Sequence, residues 1–242
     1  SAASDVYKRQ NQAPELVRRN ELGGTGSTVC ERGLIYTRHA GNDRPVTLER
    51  VIDPVPCYPD LIVRCSVGAR YCSGILVAQD TVLTCAHFLL PERPAPSRIT
   101  VRLRGARRRA REVRIFEGTD VALITLNRVR TADDAPPGPY PPLAPPARLL
   151  GSALKRTVTF GFGGGATSPA ARDGRFLITL PLAFSRSMRT IVRPAGIVAN
   201  AAPAIKGDSG GPVLIDAHLA GIQSLILHPW RVNPVSYTHL RA

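Results

Sequence analysis

Lysine is almost missing from this chain. Of 32 basic residues only Lys8, Lys155 and Lys206 are lysines, and the rest are arginines. Acid is scarce as well, with 18 Asp and Glu, so the formal charge is +14. A charge of that size invites a nucleic-acid reading. The shortage of aromatics, 5% of the chain, argues against it. None interleaves with the densest cluster (Arg102, Arg104, Arg107, Arg108, Arg109, Arg111 and Arg114), so that cluster offers no platform for stacking bases. The arginine bias, beside abundant Ala, Pro and Gly, reads as the mark of a GC-rich genome, and the cluster as a solvated basic face. No specific nucleic acid is expected as a partner. Long apolar runs are missing too. The longest, such as Ile75-Leu76-Val77-Ala78, are strand-sized, and no membrane span is expected. The first thirty residues carry no apolar centre of a signal peptide.

What remains is a chain of 242 residues, 43% of them apolar, enough to bury a core as one two-lobed domain. From Leu61 short β-rich runs follow one another: 61–65, 71–78, 81–84, 98–103, 111–116 and 121–126. Turn residues such as Gln79-Asp80 and Gly118-Thr119 separate them, an all-β pattern. Residues 131–148 then carry Pro136, Pro137, Pro139, Pro141, Pro142, Pro145 and Pro146. Such a segment is neither helix nor central strand, and it reads as a linker between two lobes. A second strand series follows over 154–162, 175–184, 190–199, 212–215 and 219–226. The expected organisation is a polar extension or propeptide remnant over 11–50, a first lobe over 51–130, the linker, and a second lobe over 149–234. Residues 1–10 and 235–242 resemble translated sequencing-adapter sequence and are set aside as artefact.

One stretch describes a built site: Gly207-Asp208-Ser209-Gly210-Gly211-Pro212. A serine hydroxyl attacks well only when a base takes its proton and donors stabilise the oxyanion it creates. Glycines on both sides of Ser209 permit a tight turn, in which the N–H groups of Gly207 and Ser209 can converge as an oxyanion hole. A base and a carboxylate are available. His87 ends the apolar run through Thr84-Cys85-Ala86, and Asp120 opens Asp120-Val121-Ala122-Leu123-Ile124, with Asp133 and Asp134 as competitors for its role.

These segments, in the order His, Asp, Ser, resemble the trypsin-like (chymotrypsin-fold) serine peptidases. Gly161-Phe162-Gly163 is similar to that family's Gly-aromatic-Gly at the start of its second barrel, and Gly221-Ile222-Gln223-Ser224 to the strand beside bound substrate. The resemblance runs from about Leu61 to Ser224. It implies an all-β fold of two six-stranded antiparallel β-barrels, with the active site in the cleft between them and the second barrel cut short at its C-terminus. It implies a serine endopeptidase acting through an acyl-enzyme on a polypeptide substrate, as a monomer and without cofactor or metal. His87 would be the general base, Asp120 its orienter and Ser209 the nucleophile. The rival readings are a catalytically silent homologue that binds a partner through the old cleft, and a basic polyanion-binding domain.

Two further expectations come with the resemblance. Cys72 and Cys85 occupy positions that form a disulfide stapling the histidine loop, although many relatives place the second cysteine just after the histidine, where this chain has Phe88. One pair could also form among Cys30, Cys57 and Cys65, and five cysteines together suggest a secreted or periplasmic protein. The substrate pocket would be lined by Pro203, Ala204, Ser224, Leu225 and Ile226, with Pro203 where a trypsin has its aspartate and Ile205 in place of a usual cysteine. Without an acid at its base the pocket would prefer small or aliphatic residues, Asp216 being the reserve acid if that register is wrong. Asp208 would pair with a freshly cleaved N-terminus, for which Arg50-Val51-Ile52 is a faint candidate, or with a resident arginine.

Overall fold

A computed structural model of the chain describes residues 58–90, 92–104, 106–128, 139–145, 153–185, 188 and 190–225, with the backbone of Cys30–Glu31, Leu34–Ile35 and Val232–Ser236. The chain forms two compact units. In the smaller, Pro14–Cys57, strand β1 (Cys30–Glu31) pairs antiparallel with β2 (Leu34–Ile35). The larger unit holds everything considered below.

Its first barrel closes in the order β3 (Ile62–Val67), β4 (Arg70–Ala78), β5 (Thr81–Cys85), β8 (Val121–Leu126), β7 (Ala106–Phe116) and β6 (Ile99–Leu103). Side chains alternate across each strand, so Val63, Cys65 and Val67 of β3 turn inward while Arg64 and Ser66 face out. Every residue of β5 and β8 is buried. Ile75, Leu76, Leu83, Ile99, Ile124 and Leu126 fill this core, each stabilising by about 1.5–3 kcal/mol relative to exposure. The arginine cluster lies on β6 and β7 and is largely solvated, with one exception. Arg108 turns inward and gives its guanidinium to the carbonyls of Gln79 and Asn127.

The second barrel is closed as well, in the order β10 (Ala170–Leu180), β13 (Ala195–Asn200), β16 (Val232–Ser236), β15 (His218–Gln223), β14 (Pro212–Ile215) and β9 (Arg156–Gly161). Its closing strand is β16. β16 includes Val235 and Ser236 from the segment set aside as artefact, and pairs with both β13 and β15. Phe176, Val198, Val213, Ile215 and Ala220 form a cluster in its core. The run expected over 190–199 is broken at Pro194 into β12 (Ile191–Val192), which pairs with β11 (Ala183–Phe184), and β13. Proline at that point has no N–H for a ladder. From the proline-rich segment, Leu143 bridges Leu219, and the Leu219 N–H donates to the Pro142 carbonyl at 2.7 Å. Among the described residues no helix is long and apolar enough to cross a membrane.

Candidate active site

Ser73 ties the two barrels together. Its N–H donates to the Ser209 carbonyl at 2.8 Å, and its hydroxyl donates to the Gly207 carbonyl at 2.7 Å while accepting the Phe162 N–H at 2.8 Å. Two residues earlier on the same strand, the Tyr71 hydroxyl accepts the Gly165 N–H at 2.6 Å. The serine turn is therefore seated on β4 by bonds from both barrels. Gly210, at φ 81°, is pressed against the Ser73 carbonyl, the Thr84 hydroxyl and the Cys85 N–H, so no larger residue fits. This contact brings Ser209–Gly210 against the end of β5, directly ahead of His87. On its other side the Gly210 N–H donates to the Gln223 carbonyl at 2.7 Å.

His87 and Asp120 meet where β5 and β8 run side by side. The Asp120 carboxylate accepts the His87 N–H at 2.7 Å through Oδ1 and stands 2.8 Å from Nδ1 through Oδ2. Asp120 is 2% exposed, so its charge is spent on these partners rather than on water. In the neutral imidazole this contact favours the tautomer with hydrogen on Nδ1, with Nε2 turned away from Asp120. Among the described residues the Ser209 hydroxyl makes no hydrogen bond to that nitrogen, whose near neighbour is the Cys85 Sγ at 3.8 Å. Burial works against the charged imidazole, but the Cys85 sulfur and the Asp120 carboxylate outweigh it, and the His87 pKa is raised. Burial also holds the Cys85 thiol well above its ordinary value, and the Asp120 carboxylate adds its own upward pull on His87. A general base works only when neutral. The acid limb of kcat/KM should therefore have its midpoint above the ordinary histidine value of about 6.5. Asp120→Asn should move it back down, and an unchanged midpoint in a pH–rate profile would contradict this coupling.

Within the serine turn the N–H groups of Asp208, Gly210 and Gly211 donate to Ile205, Gln223 and Asp208. Among the described residues those of Gly207 and Ser209 have no acceptor. Asp208, fully buried, accepts the Gly163 N–H and the Ile205 N–H at 2.8 Å each and pairs with Arg172 at 3.0 Å. The sequence left that partner open, and Arg172 was invisible to it: in Ala171-Arg172-Asp173-Gly174 an arginine reads as the outward member of a strand. Its side chain is only 9% exposed. The N-terminal candidate at Arg50-Val51-Ile52 and the competitors Asp133 and Asp134 lie outside the described residues.

The expected Cys72–Cys85 disulfide is not formed. Cys65, Cys72 and Cys85 are free and buried. Cys72 stands directly across from Cys65 in the β3–β4 register, meets the Thr84 hydroxyl at 3.4 Å and contacts the Cys85 thiol, which also lies 3.8 Å from His87 Nε2, so the two thiols are neighbours that are not bonded. Cys30 and Cys57 lie outside the described side chains.

Of the expected pocket residues, Ala204 and Ser224 are buried, Leu225 is half-buried and Pro203 is exposed. Ile226 lies outside the described residues. The reserve acid Asp216 is held by Lys155 at 2.8 Å. Among the described residues no group of His, Cys, Asp and Glu is arranged to hold a metal ion.

Residues 72–221, more than half of the chain, match the trypsin-like peptidase domain. The chain belongs to that family. Among solved structures it is similar to the active form of the Rv3671c protease from M. tuberculosis, at 17% identity over 74% of this chain and 77% of that one, with a TM-score of 0.58. It is similar also to the HtrA-type protease AlgW with tripeptide (17% identity, 75% of this chain and 57% of that one, TM-score 0.56). A third is kallikrein-related peptidase 10 in complex with Zn2+ (20%, 75% and 93%, TM-score 0.54). At these identities the structures speak for the fold. No curated protein sequence matches the chain significantly.

Proposed function

We infer that the protein is a serine endopeptidase with Ser209 as nucleophile, His87 as general base and Asp120 as its orienting carboxylate. The observation that carries this reading is the Asp120–His87 pair, 2.8 Å at Nδ1, standing beside a glycine-framed serine turn whose Gly207 and Ser209 N–H groups are uncommitted. The Ser209 oxygen attacks the peptide carbonyl carbon, and its proton passes to His87 Nε2. The two N–H groups receive the oxyanion. Collapse of the intermediate breaks the C–N bond, His87 protonates the departing amine, and water repeats the sequence on the acyl-enzyme. Closing Ser209 onto Nε2 requires the imidazole to exchange the Cys85 thiol for the serine hydroxyl, a tightening that substrate binding can supply.

The rival reading, a silent homologue that binds through the cleft, is favoured by that same Cys85 contact and by the missing Ser209–His87 bond. A fluorophosphonate probe separates the two, because only an activated serine reacts. Labelling of the wild type but not of a His87→Ala variant is expected, and an unlabelled, folded wild type would leave the binding reading in possession.

Substrate choice follows from what surrounds the acyl side. If Pro203 and Ala204 form the pocket base, with Asp216 tied to Lys155, neither they nor Asp216 offer a free carboxylate to a cationic side chain. Burying an unpaired arginine head costs several kcal/mol. Cleavage after Ala, Val or Leu should exceed cleavage after Arg by at least about tenfold in kcat/KM. A peptide-library profile led by Arg or Lys would refute the pocket assignment.

A further inference from the structure

Three arginines stand abreast on the outer face of the first barrel. Arg64 of β3 is the register partner of Arg102 of β6, which is in turn the partner of Arg107 of β7. Partners in adjacent strands project from the same face, and neighbouring strands lie about 4.8 Å apart, so the row spans roughly 10 Å. Like charges placed directly opposite destabilise a sheet. Elsewhere on this barrel three arginines are neutralised: Arg104 by Asp60 at 2.9 Å, Arg70 by Glu92 at 3.1 Å and Arg111 by Asp80 at 3.9 Å. Among the described residues no ion pair engages Arg64, Arg102 or Arg107. Arg102 and Arg107 are exposed and Arg64 is half-buried.

The row is joined to the serine turn. The Arg64 guanidinium lies 3.9 Å from the centroid of the Tyr71 ring. Tyr71 in turn is packed against Gly207, where an added Cβ would meet its ring at 2.5 Å. Ser209 and Gly210 are held between Gln223 on one flank and Ser73 of β4 on the other. The acyl half of a substrate, in the reading above, follows Gln223–Ser224. On that reading the leaving-group half lies on the Tyr71 side, where the Arg64 guanidinium stands over the ring.

We propose that Arg64, Arg102 and Arg107 form a track for an acidic segment on the leaving-group side of the cleaved bond. The track selects polypeptides carrying several Asp or Glu residues downstream of the cut. Side-chain carboxylates spaced along an extended chain, about 3.3 Å per residue, can address a row of this length with three or four residues. Arginine binds such groups through paired N–H donors. A polypeptide fits better than a nucleic acid, because the row runs from the serine turn and exposes no aromatic face for bases.

The direction of the track rests on the peptidase reading, so the test has a catalytic arm and a binding arm. Two peptides with the same acyl half and either Glu-Glu-Glu or Gln-Gln-Gln downstream are cleaved in parallel with a small ester that has no downstream residues. The wild type is expected to favour the Glu peptide about tenfold, mainly in KM, and to lose that preference in 0.5 M salt, where the screening length shortens to about 4 Å. Arg102→Gln/Arg107→Gln should abolish the preference and leave ester turnover unchanged. In the binding arm, fluorescence anisotropy follows the labelled Glu peptide on a Ser209→Ala background, with and without the two arginine substitutions. If no substrate is hydrolysed but the Glu peptide binds through the arginines, the track stands and the peptidase reading falls. Equal cleavage of both peptides, or tighter arginine-dependent binding of an oligonucleotide than of the Glu peptide, overturns the track.

Discussion

Replacing Ser209 with alanine is expected to lower peptide turnover by about a million-fold and to leave the fold intact. The two halves of this expectation come from different atoms of the same residue. Its backbone carbonyl takes the Ser73 N–H at 2.8 Å and helps to join the barrels, and alanine keeps that carbonyl. Its hydroxyl makes no hydrogen bond among the described residues, so its removal orphans nothing. The Gly210 contact at β5 is likewise untouched. Activity should therefore fall with no change in melting temperature. Because nucleophile and base act as one unit, Ser209→Ala/His87→Ala should be no worse than Ser209→Ala alone. Turnover within tenfold of the wild type, in folded protein, would remove Ser209 from the chemistry.

The barrels and the candidate triad were legible because both are written locally. Alternation in Ile62–Val67 and the apolar runs that become β4, β5 and β8 specify strands without help from distant residues. The glycine-framed serine likewise announces its own turn. What escaped depends on partners far along the chain. Arg108 and Arg172 look like solvated charges in sequence, and only the carbonyls of Gln79 and Asn127 or the Asp208 carboxylate bring them inside. The closing strand β16 carries Pro234, a residue that argues against a strand, and it lies partly in the segment set aside at the C-terminus. The family resemblance implied a Cys72–Cys85 disulfide; the two thiols do meet, beside Cys65 and Thr84, but they are free.

Arg172→Ala should carry the second-largest effect, through stability and catalysis together. The substitution leaves Asp208, 1% exposed at its side chain, with two N–H donors and no counter-charge. Breaking one half of a buried pair costs about 3–5 kcal/mol, a fall in melting temperature on the order of 10 °C for a domain of this size. Asp208 precedes Ser209 and anchors the loop between Ile205 and Gly163. Its release would let the Gly207 and Ser209 N–H groups diverge, and losing oxyanion donors lowers kcat by roughly 10²–10³. A purely structural role would depress stability alone, so the decisive readout is pH. A guanidinium keeps its charge throughout the working range, whereas an α-amino group loses it near pH 8. If Arg172 supplies the charge, kcat/KM should hold steady between pH 8 and 10, and activity should not depend on the residue at the chain's N-terminus. Arg172→Lys should restore much of the activity, because an ammonium can still neutralise Asp208, while giving up the guanidinium's fork geometry. An alkaline fall centred near pH 8 in the wild type, or full activity in folded Arg172→Ala, would show that the serine turn is ordered by some other charge.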